Sequence, residues 1–130
     1  MADVPLRILA SPAAEVLIAQ LTEQHGPLMF HQSGGCCDGS APMCFPLGEF
    51  RVGSQDVLLG HIACDVQVWI GAAQFEYWRH TQMTIDVVPG RGAGMSLESP
   101  TGQRFIVRSR VFTDEEADLL HAGGDPPRGA

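Results

Sequence analysis

Ser11-Pro-Ala-Ala-Glu-Val-Leu-Ile-Ala-Gln-Leu-Thr-Glu-Gln-His-Gly-Pro-Leu-Met-Phe-His31 is the stretch whose pattern decides how the chain begins to fold. Ala14, Leu17, Ile18 and Leu21 recur at helical spacing, so Ser11 to Gln24 reads as an amphipathic helix. Ser11 supplies a cap, and Pro12 suits the first turn, where its missing N–H costs nothing. Glu15 stands one position too late for a strict capping box. Gly26-Pro27 stops the helix, and Leu28 to His31 reads as a short buried strand. That strand runs straight into Gln-Ser-Gly-Gly-Cys-Cys-Asp-Gly-Ser40.

Downstream, Glu49 to Val52, Val57 to Ile62 and Val66 to Ile70 are β-branched or aromatic runs separated by turn residues, and each is predicted as a strand. Ala72 to Arg79 fits a helical turn or two. Met83, Ile85 and Val87 alternate with polar residues as a half-buried strand does, closed by Pro89-Gly90. Met95 to Glu98 and Arg104 to Val111, joined by Ser-Pro-Thr-Gly, suggest a hairpin. Thr113 with Glu116 forms a capping box for a short final helix, and the glycine- and proline-rich tail, residues 123–130, is expected to be disordered. Strands framed by a leading and a trailing helix predict a single α+β domain over residues 1–122, with a small, mostly antiparallel sheet or sandwich.

At 130 residues the chain can bury one core without disulfides. Its 45% apolar and 18% charged residues are those of a globular protein rather than a disordered one. A formal charge of -7 with no basic cluster argues against nucleic acid as a partner. No run is long enough to span a bilayer, and the first residues lack a cationic start followed by an apolar stretch, so a cytoplasmic location is expected. In that reducing setting the four cysteines read as ligands, catalytic thiols or packed side chains before they read as disulfides.

Three of those cysteines and a histidine fall between His31 and Cys44. Cys36 and Cys37 are adjacent, His31 lies five positions before them and Cys44 seven after. Glycines 34, 35 and 39 allow sharp turns that let side chains from both arms converge. Thiolate and imidazole donors suit zinc, iron or copper(I), which makes His31, Cys36, Cys37 and Cys44 the candidate metal ligands. Neighbouring side chains tend to point apart, so one of the adjacent pair with His31 and Cys44 is the expected set. A redox reading needs only a loop thiolate and a second cysteine that resolves its oxidised form. The plain alternative is that each cysteine is a small buried hydrophobe.

Cys64 reads as structural, and Phe75, Tyr77 and Trp78 as core packing. His80, four positions after Glu76, is a reserve ligand or base. The glycine-flanked Arg91 fits a solvated hairpin loop. No Ser-His-Asp constellation, P-loop or dinucleotide fingerprint is present.

The string His31-Gln-Ser-Gly-Gly-Cys-Cys-Asp-Gly-Ser40, then Pro42-Met-Cys44, Gln74-Phe-Glu-Tyr-Trp78 and Asp86-Val-Val-Pro-Gly-Arg-Gly92, closely resembles the bacterial family called domain of unknown function 779, over roughly Val4 to Glu116. The resemblance implies a small cytoplasmic protein of the kind often encoded beside aldehyde or alcohol dehydrogenases. A looser likeness is to the A-type iron–sulfur carriers with the HesB-like fold, through Ser11-Pro-Ala-Ala14, Gly34-Gly-Cys36 and a fainter echo in Met95-Ser-Leu-Glu-Ser-Pro100. It implies short strands around a small sandwich. The carriers' C-terminal Cys-Gly-Cys pair is missing, since no cysteine follows Cys64, which speaks against a cluster held in their manner.

Together these readings give a metal-binding accessory protein of alcohol or aldehyde oxidation, with a dehydrogenase as expected partner and a homodimer as a possible assembly. The rival is an enzyme whose Cys36 or Cys37 thiolate attacks aldehydes, thiol adducts or peroxides, with His31 or His80 as base. A third class, a purely structural or interaction domain, requires neither metal nor fast thiols.

Overall fold

The structure, a computed structural model, describes residues 4–32, 40–90 and 96–129. Among these residues seven strands form two mixed sheets. The first contains β1 (Ile8–Ala10), β6 (Thr81–Pro89) and β7 (Gln103–Val111) in the order β1-β6-β7. The second contains β2 (Leu28–Gln32), β3 (Met43–Pro46), β4 (Asp56–Ile62) and β5 (Val66–Gly71) in the order β3-β2-β5-β4. β1 pairs with β6 and β2 with β5 in parallel; the other three pairings are antiparallel. Three α-helices accompany them among the described residues: α1 (Pro12–His25), α2 (Ala72–Trp78) and α3 (Asp114–Ala122). The α+β class read from the sequence is the observed one.

Helix α1 forms where its pattern places it. The Ser11 hydroxyl accepts the Ala14 N–H at 3.1 Å, and Gly26 ends the helix at φ 80°, a left-handed conformation that favours glycine. Its buried stripe is Ala14, Leu17, Ile18 and Leu21, each large member contributing on the order of 1.5–3 kcal/mol through burial. The capping box of α3 is complete, with Thr113 and Glu116 each accepting the other's N–H.

The two sheets meet through one apolar core. Phe30 of β2 and Phe105 of β7 pack edge to face, centroids 4.8 Å apart. Where β1 crosses β4, Gly60 has φ 151° beside a register shift in β4, and a Cβ there would stand 3.1 Å from Cγ2 of Ile8. Glycine therefore sets how closely the sheets approach.

Two sequence expectations change. Residues 49–52 form no strand: Pro46 and Gly48 (φ 94°) turn the chain, and the Glu49 N–H returns to the Pro46 carbonyl. The partner of β7 is β6, not residues 95–98, because Pro100 and Gly102 build a 3-10 turn that sends Ser96 and Glu98 into the interior. Met95 itself lies outside the described residues. Beyond α3, Pro127 accepts the Leu58 N–H, Arg128 bridges to Val57 and Gly129 donates to the Asp56 carbonyl, all along β4.

Candidate functional site

β2 is buried on both faces, and alternation divides its side chains between them. Leu28 and Phe30 point into the core between the sheets. His31 points the other way, only 4% exposed, with its ring stacked on Phe50 at 4.2 Å and 29°. Phe50 in turn lies 5.3 Å from Phe45. The turn that replaces the expected strand at residues 49–52 thus serves as the wall of this site.

Asp56, at the start of β4, reaches His31 from the other side of β5, with Oδ1 2.7 Å from Nε2. Its second oxygen accepts the Gly53 N–H at 2.9 Å. Burial pushes the Asp56 carboxyl up, but the Gly53 N–H and the His31 ring outweigh it and hold it below the usual carboxylate range. An ionised Asp56 only accepts, so Nε2 carries the ring proton in this pair.

Cys44 sits on β3 opposite Phe30, whereas His31 is opposite Met43. Cys44 therefore shares the core face with Phe30 and lies on the opposite side of the sheet from His31. It is fully buried, and burial together with the nearby Glu98 carboxylate pushes its thiol far up. Its N–H donates to the Ser96 hydroxyl at 2.8 Å, and that hydroxyl donates to Glu98. Glu98 is itself raised, burial being the larger cause, although Ser96 and backbone N–H groups including Phe105's favour its ionised form. Cys44 therefore packs in the core, and the register sets it across the sheet from His31.

Cys36 and Cys37 lie outside the described residues, as does Arg91. Cys64 is exposed, with φ 60° in the turn before β5. His80 lines a cavity formed with residues of α3 and of the segment before β1. Among the described residues no group of three or more His, Cys, Asp or Glu side chains gathers in a way that would hold a metal. Sequence reading missed Asp56, the first residue of β4, and Phe50, in the turn that follows β3. Pairing of β2, β5 and β4 is what delivers Asp56, and no local pattern announces it.

A sequence model described as a domain of unknown function, DUF779, matches residues 17–111. The chain belongs to the DUF779 family. That match includes His31, Cys36, Cys37, Cys44 and Asp56, so the whole neighbourhood of β2 lies inside the DUF779 domain. Neither a curated protein nor a solved structure matches the chain. The likeness to the iron–sulfur carriers rests on the short motifs alone.

Proposed function

We propose that the His31 face and the cysteine loop that follows it bind a transition metal, and that the protein is a small metal-binding accessory protein of alcohol or aldehyde oxidation. The 2.7 Å contact between Asp56 and His31 carries this reading. Metal-bound imidazoles characteristically donate their second N–H to a carboxylate, which fixes the ring and raises its basicity. His31 fits that role, and Cys36 and Cys37 are the candidate thiolates; Cys44 fits it poorly and leaves the ligand set. Thiolate with imidazole suits zinc, copper(I) or iron. The dehydrogenase partner and the cytoplasmic setting come from the family resemblance. Among the described residues no helix is long and apolar enough to cross a membrane.

Elemental analysis of tag-free protein tests the reading. About one metal per chain is expected, with C36S and C37S lowering it and C44A leaving it intact.

The same Asp56–His31 pair favours one second reading. An oriented imidazole is also what a thiol enzyme needs, with Cys36 or Cys37 as nucleophile and His31 as base. Iodoacetamide labelling separates the two. A thiol that reacts fast below pH 7 in metal-free protein, and slows in H31A, supports the enzyme; thiols protected until a chelator is added support the metal site.

A further inference from the structure

A cavity of about 610 Å³ opens on a different part of the molecule, between the end of α2, the segment before β1 and α3. Arg7, Arg79, His80 and His121 line it with the apolar Phe112 and Leu120, and so do Glu76 and Asp125, whose carboxylates pair with Arg79. The two arginines are not equivalent. Arg79 is neutralised, its Nη1 3.1 Å from Glu76 and its Nη2 3.0 Å from Asp125. Arg7 forms no ion pair among the described residues. Its side chain makes one long hydrogen bond there, a 3.4 Å donation from Nη1 to the Arg79 carbonyl.

Both guanidinium groups lean on the same ring, 5.3 Å and 5.4 Å from the Phe75 centroid. Burial lowers the Arg7 pKa, Arg79 lowers it further, and Asp125 opposes them. In a chain with 15 acidic residues, a half-buried arginine beside another cation and without its own carboxylate is a standing cost. An anion from outside would relieve it.

Arg7 and Leu120 also line a second, shallower cavity of about 320 Å³ whose walls include Leu6, Leu58 and Pro126. Leu6 is 61% exposed, so the apolar wall is open to solvent. We propose that the joined cavities bind a small amphipathic anion, its oxyanion head held by Arg7 and its short apolar body lying along Leu6, Leu58 and Leu120. Guanidinium recognises carboxylate and phosphate by the same fork of N–H donors, so the head is either one. His80 and His121 flank the head, which gives His80 a place other than the cysteine loop.

Calorimetric titration of the full chain with octanoate, octyl phosphate, inorganic phosphate and the uncharged octyl glucoside tests the proposal. Saturable binding of an octyl anion is expected, at least tenfold tighter than inorganic phosphate or octyl glucoside. Preference for octanoate identifies a carboxylate ligand, and preference for octyl phosphate a phosphomonoester. R7Q is expected to weaken binding tenfold or more while its urea unfolding midpoint stays at the wild-type value, which shows the fold intact; L6S should weaken the octyl anions and not inorganic phosphate. Absence of saturable binding by either octyl anion, binding unchanged in R7Q, or equal binding of octyl glucoside or inorganic phosphate would overturn it.

Discussion

Asp56 and His31 lie on β4 and β2, strands that never pair, yet their side chains meet at 2.7 Å across the intervening β5. One carboxylate thereby fixes the ring of a buried histidine one residue before the end of β2. Removing that carboxylate should loosen the imidazole without removing it. D56N is expected to lower metal affinity about 10–100-fold, with a smaller effect on folding, measured by competition with a chromogenic chelator. Equal affinity in D56N and wild type would detach Asp56 from the site.

Cys44 and Cys64 should behave oppositely toward alkylating agents. Cys64 is exposed and should be modified in the folded protein, whereas Cys44 should react only on unfolding. Peptide mapping after brief iodoacetamide treatment at pH 8 reads both. Early labelling of Cys44 would contradict its burial and its raised thiol pKa.

Much of the fold was legible because it was local. Ser11, the i, i+3, i+4 stripe through Leu21 and the Gly26-Pro27 stop sufficed for α1, and Thr113 with Glu116 sufficed for α3. β1 was invisible because three residues cannot display a period; its pairing with β6 alone defines it. Residues 49–52 misled because Phe50 has strand-forming character but is used as an aromatic wall. The candidate site divided in the same way. His31 stood out through its neighbours in sequence, whereas Asp56 depends on strand order, and the face that Cys44 takes depends on β3 and its register against Phe30, neither of which is readable from composition.

The Ser96–Glu98 corner makes a stability prediction. Glu98 is 1% exposed and accepts the Ser96 hydroxyl, which in turn receives the Cys44 N–H. E98A would strand these donors and open a void, at a cost of about 2–4 kcal/mol in urea unfolding. A loss below about 0.5 kcal/mol would mean that the network contributes little.

Acid should weaken the junction of α1 with the first sheet. The Arg108 guanidinium, the Ser11 hydroxyl and the Val87 N–H hold the Asp86 carboxyl at about 2, below its ordinary 3.8. A carboxyl with a lowered folded pKa stabilises fully above its unfolded value, and that contribution disappears as pH falls from about 4 through 2. Allowing for partial solvent screening, D86N should cost roughly 1–2 kcal/mol at pH 7 and flatten the acid limb of the stability profile. An unchanged limb in D86N would place acid lability elsewhere.

Gly60 should tolerate no side chain. G60A would combine a positive φ with a 3.1 Å approach to Ile8, and about 1–3 kcal/mol of destabilisation is expected by thermal unfolding. Wild-type stability in G60A would show that the sheets can separate there freely.

The most direct test of the His31 site is an X-ray absorption spectrum at the metal edge of tag-free protein. The account predicts a bound metal with a nitrogen shell at about 2.0–2.1 Å and, if zinc, a sulfur shell at about 2.3 Å. H31A should remove the imidazole signal, C36S or C37S should reduce the sulfur signal, and C44A should change neither. A metal shell without sulfur, or one indifferent to H31A, would contradict it.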